Sequence, residues 1–97
     1  MRKAKRYFVR GGSDVKTDYS LACDVAIGAA IRTERCKRVL SQSDLAAQLQ
    51  LRGIDLENYI ICKIESGRRA CTFMELFAIC SVLQVPLSDL PLPFTAP

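Results

Sequence analysis

The chain contains no histidine, so the commonest general base and the commonest metal ligand are both missing. Its five cysteines, Cys23, Cys36, Cys62, Cys71 and Cys80, form no C-x-x-C pair. An odd set at irregular spacing argues against a zinc site and a disulfide framework, and predicts reduced thiols. No clustered carboxylates and no glycine-rich phosphate loop stand in their place. The expectation is therefore no enzyme, no metal and no cofactor. What remains is the chemistry of recognition, carried by charged and hydrogen-bonding side chains at helical spacing. Arg35, Glu65, the run Asn58-Tyr59-Ile60-Ile61-Cys62-Lys63 and the pair Arg68-Arg69 are the groups to place.

Periodicity predicts the elements that position them. Ser41 precedes Asp44 in a capping-box-like start, followed by the apolar set Leu45, Ala46 and Leu49. Gly53 interrupts this pattern within a turn-like segment, residues 51–55. A second helical run carries Ile61, Ile64 and Glu65 at i, i+3, i+4, and Gly67 is placed to stop it. Two short helices joined by a glycine-containing turn, the second ending in a basic cluster, form a helix-turn-helix pattern. Upstream, Thr17, Asp18 or Ser20 caps a helix running to about Arg38, with Ile27, Ile31 and Arg35 on one face. Arg35 therefore lies on a stripe that should be buried, and Glu65, four residues after Ile61, does the same. Unpaired buried charge is costly, so the two are expected to pair and fasten the first helix to the third. Downstream, Thr72 caps a helix that turns Phe73, Leu76, Phe77, Cys80 and Leu83 to the core, widened by Ile79 and Val82. Pro86 opens one more short helix through Leu90, and Pro91, Pro93 and Pro97 prevent continuation. The expected fold is all-α, with five helices.

Ninety-seven residues make one domain. The expected division is a basic extension at 1–19, a helical domain at 20–91 and a tail at 92–97. Within residues 1–16 six basic side chains oppose Asp14, giving +5 and leaving −1 for the rest of a chain whose net charge is +4. Attraction to an anionic partner must then come from that extension or from local patches. The extension is a flexible tail, an arm along phosphates, or a short strand at 6–10 pairing with a second copy. No apolar run reaches the roughly 20 residues of a membrane span, and no apolar segment follows Arg10 as a secretory signal would require. A cytoplasmic protein without membrane contact is expected.

Four linked motifs carry a resemblance. They are Ile27-Gly28-x-x-Ile31-Arg32-x-x-Arg35, Leu40-Ser41-Gln42-x-x-Leu45-Ala46, Ile61-x-x-Ile64-Glu65-x-Gly67-Arg68-Arg69 and Leu76-x-x-Ile79-x-x-Val82-Leu83-x-Val85. Over roughly residues 24–90 the chain resembles the lambda-repressor/Cro-like, or XRE-type, helix-turn-helix family. The resemblance implies a compact five-helix bundle that binds double-stranded DNA, usually as a homodimer, with Arg35 and Glu65 as a buried salt bridge. Three features depart from the family pattern. Val39 stands where a glycine usually closes the first helix, the segment between Leu49 and Ile61 is longer than usual, and residues 1–19 extend beyond the family core.

The family's docking mode places the second helix of the motif in the major groove. It would present Asn58, Tyr59, Cys62 and Lys63 to base edges, with Ile60 on the border. Asn58 suits adenine, and Lys63 suits guanine or a phosphate. Ser41 and Gln42 at a helix start, and Arg68 and Arg69 after the reading helix, would hold phosphates. The leading expectation is a sequence-specific transcriptional regulator, a repressor. The rival is a protein-binding antitoxin or adaptor, favoured by the near-neutral body and by Tyr59, Ile60 and Cys62 on the reading face. Cys62 beside Lys63 also admits a redox switch, against the plainer reading of a tolerated small residue. A dimer contact is expected around residues 85–94, where Leu87, Leu90, Leu92 and Phe94 are concentrated.

Overall fold

The computed structural model describes residues 18–90. Within them lie four α-helices and no strand: α1 (Asp18–Lys37), α2 (Gln42–Leu51), α3 (Asn58–Glu65) and α4 (Phe73–Leu83). The expected fifth helix is a single 3-10 turn, Leu87–Asp89, following Pro86. It is three residues long because Pro91 is close behind. The possible strand at 6–10 lies outside the described residues.

The core is built from one stripe of each helix. Ile31 of α1, Leu45 and Leu49 of α2, Ile61 and Ile64 of α3, and Ile79 and Leu83 of α4 are fully buried. Cys80, Leu76, Ala30, Leu56 and Leu90 complete the cluster. Two expectations change here. Phe73 and Phe77 were expected in the core but are 70% and 61% exposed. Leu76, Ile79, Cys80 and Leu83 already form a full i, i+3, i+4, i+7 stripe. Phe77 stands about 100° round the helix from Leu76, off that stripe, and Phe73 is the first residue of α4. Leu90 is buried, and Leu87 and Val85, both half-buried, pack against the core, so these residues contribute to the interior. Leu92 and Phe94 lie outside the described residues.

All four helices end in the same way. After each, one amide bonds back three residues and the next bonds back five: Val39 to Cys36 and Leu40 to Arg35, Gly53 to Gln50 and Ile54 to Leu49, Gly67 to Ile64 and Arg68 to Lys63, Gln84 to Ser81 and Val85 to Cys80. This is the Schellman stop, and it requires a left-handed residue at its centre. Gly53 and Gly67 supply one without strain, at φ +82° and +80°, but Val39 and Gln84 adopt it at +56° and +58°. The corner at Val39 thus keeps a glycine-like geometry with a β-branched residue in it. The longer α2–α3 connection is also accounted for. Ile54 and Leu56 turn inward along it and join the core, so the added chain is packed.

Gly28 shows how closely α1 and α3 approach. A Cβ there would strike the carbonyl oxygens of Ile64 and Glu65, the latter at 2.7 Å. Alanine is better than glycine in a helix by about 1 kcal/mol, but a rigid backbone clash outweighs that gain. Gly28→Ala is expected to lower the urea midpoint clearly; a raised midpoint would show that α1 can back away from α3. Val39→Gly is expected to act in the opposite direction. Valine's left-handed strain costs about 1–2 kcal/mol and glycine's extra unfolded freedom about 0.5–1 kcal/mol. The side chain is 87% exposed, so little packing is lost. A net gain on the order of 1 kcal/mol should appear in the same titration.

Candidate nucleic-acid interface

The site is organised by α3, whose inner side is held by an ion pair. Arg35 of α1 donates from Nε to Glu65 Oε2 at 2.7 Å and from Nη2 to Oε1 at 2.9 Å. Its Nη1 donates to the Leu40 carbonyl at 2.7 Å. Gln42 of α2 donates its side-chain amide to Glu65 Oε1 at 3.0 Å. Both charged residues are buried, as their helical positions require. The Glu65 carboxylate pushes the Arg35 pKa further up, with burial opposing the shift. With Ile61 and Ile64 also buried, this network sets the rotation of α3.

The outer side of α3 then groups Asn58, Tyr59, Cys62 and Lys63, all exposed, with Ile60 half-buried beside them. The helix begins at Asn58, with Glu57 as its N-cap. Asn58 donates to Ser43 Oγ of α2 at 3.2 Å, which fixes its amide between the two helices. The Lys63 ammonium lies 5.9 Å from the centre of the Tyr59 ring, so the two side chains stand together one turn apart.

The expected phosphate-contact residues are less uniform. Ser41 is committed to the α2 cap: its Oγ accepts from the Asp44 amide at 2.9 Å, and its own amide donates to Asp44 Oδ2 at 3.0 Å. Gln42 is half-buried, with its side chain turned inward to Glu65. Arg68 is exposed, and its Nε donates to Ser66 Oγ at 2.9 Å. Arg69 is half-buried and makes a forked pair with Glu75 at 2.9 and 3.1 Å, plus a bond to the Ala70 carbonyl. Glu75 also completes the capping box with Thr72. Thus Arg68 stands at the surface while Arg69 ties the α3–α4 loop to α4.

Several residues at this face were not anticipated. Ser43 positions Asn58, and Asp55 and Glu57 place two exposed carboxylates beside the start of α3. Glu57 makes no side-chain cap hydrogen bond. Ser43, Asp55, Glu57 and Asn58, with Ala47 and Gln50, line an open cleft of about 330 Å³ between α2 and α3. The spacing Thr72-x-x-Glu75 was a readable capping signal for Arg69's partner, whereas the bond from Gln42 to Glu65 spans 23 residues and had no local signal.

All five cysteines are free thiols. Burial pushes Cys71 up to about 12 and also raises Cys80, so both are held protonated. Cys62 is exposed on α3. Among the described residues no three histidine, cysteine or acidic side chains come together to hold a metal, and no helix is long and apolar enough to cross a membrane. Comparison with family models, curated proteins and solved structures gives no match to this chain.

Removing Glu65 would leave Arg35 buried with one acceptor, and breaking such a pair from one side costs about 3–5 kcal/mol. Glu65→Ala is expected to lose that much stability by urea unfolding. A wild-type midpoint would show that the pair does not hold α3. Acid sensitivity has a separate source. Glu75 is held below its ordinary 4.5 chiefly by Arg69, and Asp44 below its ordinary 3.8 chiefly by the Ser41 amide. Depressed carboxylates stabilise the fold above their ordinary values and lose that effect as pH falls through the folded ones. The melting temperature should hold down to about pH 5 and then drop, less steeply in Glu75→Gln. An equally steep drop in that variant would place the sensitivity elsewhere.

Proposed function

We propose that this chain is a sequence-specific, duplex-DNA-binding transcriptional regulator, a repressor, on the lambda-repressor/Cro-like helix-turn-helix plan that its sequence resembles. The observation that carries the reading is the outward face of α3. Its inner side is taken by Ile61, Ile64 and the Arg35–Glu65 pair, so the opposite side groups an amide, a phenol, a thiol and an ammonium within two turns. Such a helix in the major groove reads bases from its N-terminal residues. Asn58, oriented by Ser43, would meet an adenine edge. Lys63, beside Tyr59, would reach guanine acceptors or a phosphate. Cys62 and Tyr59 would make the apolar contacts, and Arg68 would contact the backbone. Gln42 would contribute through its backbone amide at the α2 start, since its side chain is engaged by Glu65, and Ser41, whose hydroxyl and amide are both taken up by Asp44, would hold that turn in place. Repression would follow from occupancy of a palindromic site by a homodimer.

A second reading, a protein-binding antitoxin or adaptor, is favoured by one observation. Asp44, Asp55 and Glu57 are exposed beside the reading face, and Arg69 is neutralised by Glu75. A cleft bordered by two carboxylates suits a cationic side chain of a partner better than a phosphate.

The deciding experiment is in vitro selection from a random duplex pool at near-physiological salt. An enriched palindrome with half-sites about one helical turn, 10–10.5 base pairs, apart is the expected result. No enrichment would reject the DNA reading in favour of the protein partner. On the selected site, Arg68→Ala should reduce the salt slope by about one unit without changing the melting temperature. Arg69→Ala should instead lower the melting temperature, because it strips Glu75 of its partner. Equal behaviour of the two variants would contradict the division of roles drawn between them.

A further inference from the structure

Glu57 carries a charge at the start of α3 that neither the fold nor the DNA reading uses. The acids in the first turns of α2 and α4 are both engaged: Asp44 closes a capping box on Ser41, and Glu75 on Thr72. Glu57 instead occupies the N-cap of α3, in extended backbone, and its side chain makes no cap hydrogen bond. Among the described residues its carboxylate has no hydrogen-bond or ion-pair partner. It is exposed, and it borders the α2–α3 cleft together with Asn58. Its charge is therefore free at the end of the helix that meets base edges in a helix-turn-helix complex.

The chemistry of the base edges decides what such a carboxylate can meet. Phosphates repel it, so it needs a donor in the groove. In the major groove guanine presents N7 and O6 and thymine presents O4, all acceptors. Adenine offers its N6 amino group but sets the N7 acceptor beside it, so one bond is gained and one repulsion met. Cytosine offers its N4 amino group and no acceptor on that edge. A carboxylate here selects cytosine, largely by rejecting the edges that carry only acceptors. We propose that Glu57 is a specificity-determining residue that reads a cytosine next to the adenine met by Asn58. This assignment rests on the duplex-DNA reading and names part of the sequence that the site would take.

Asn58, the next residue, is held by Ser43 at 3.2 Å, and an asparagine amide matches the N6 and N7 of adenine. The two residues are consecutive at one helix end, so the bases they read adjoin. One good base contact supplies about tenfold to a hundredfold discrimination, and that is the range expected of Glu57. The same charge acts in two directions. It weakens binding to duplex in general, through repulsion by the backbone, and only a site with cytosine in place offsets that loss. A residue that opposes binding overall thus sharpens the choice among sequences.

The test runs the same duplex selection with the wild-type chain, Glu57→Gln and Glu57→Ala, each as the full chain. The wild-type site is expected to carry a cytosine beside an adenine in each half-site. Glutamine pairs with adenine N6 and N7, so Glu57→Gln should move that single preference from cytosine to adenine. Glu57→Ala should accept all four bases there, losing at least tenfold discrimination at that position. It should also bind unrelated duplex more tightly, because one repelled charge is gone. A carboxylate acting only on the helix end, or by general repulsion, would change affinity for every sequence alike. Both variants should melt close to the wild type, since no side-chain bond of Glu57 is lost. A selected site whose preferences are unchanged in both variants would overturn the assignment and leave the DNA reading standing. No enriched site for any of the three chains would reject the two together, and leave Glu57 to a cationic side chain of a protein partner.

Discussion

The fold turns on a single guanidinium. Arg35 reaches Glu65 through two of its nitrogens and the Leu40 carbonyl through the third, while Gln42 closes on Glu65 from the other side. Four separate parts of the chain meet there: the end of α1, the corner after it, the start of α2 and the end of α3. Lysine could not replace it, because a point charge has no planar fork to satisfy carboxylate and carbonyl together. The pair is nevertheless a weak stabiliser against a hydrophobic alternative, since desolvating both charges offsets most of their attraction. Its effect is directional. A greasy contact would tolerate rotation of α3 by a residue, whereas a forked bond fixes which side of the helix faces out. The exposure of Asn58, Tyr59, Cys62 and Lys63 is the direct consequence.

The corner at Val39 belongs to the same arrangement. Its left-handed backbone turns the chain so that the Leu40 amide bonds back to the Arg35 carbonyl and the Leu40 carbonyl receives the Arg35 side chain. A strained residue persists where its surroundings over-determine it, and here the surroundings are that pair of bonds. Gly28 extends the same logic along α1. The approach that places Arg35 against Glu65 also places the α1 backbone against the carbonyls of Ile64 and Glu65, where no Cβ fits. The helix-weakening glycine and the buried charge are two parts of one contact, seven residues apart on one face.

The parts of this architecture that follow from local spacing were legible in the sequence. Capping boxes at Ser41 and Thr72, the stop at Gly67, the inner stripe of α3 and the Arg35–Glu65 pairing all follow from offsets of three and four residues. What escaped was whatever depended on how many residues a stripe needs. Phe73 and Phe77 fit an apolar rhythm that Leu76, Ile79, Cys80 and Leu83 had already filled, so periodicity counted them twice. Leu87 and Leu90 looked like spare apolar groups because local spacing does not show that they pack against the core. At the candidate site, composition gave the side chains of α3 but not their anchoring. Whether Gln42 and Arg69 face solvent or an internal carboxylate is a tertiary fact.

The same distinction explains the acidic groups at the helix ends. Asp44 and Glu75 lie in the first turns of α2 and α4, and both are held ionised by backbone amides or by arginine. Their charge is absorbed by the helix ends they cap, where a carboxylate complements the macrodipole. Helix α3 differs, because Glu57 gives it no side-chain acceptor. The start of α3 therefore has no side-chain cap, although Asp55 and Glu57 set two exposed carboxylates beside it. Closing that end with a capping serine or threonine would be the obvious route to a more stable α3. The chain instead retains a glutamate that makes no cap, which leaves the first amides of the helix proposed to read DNA without a side-chain acceptor from that position.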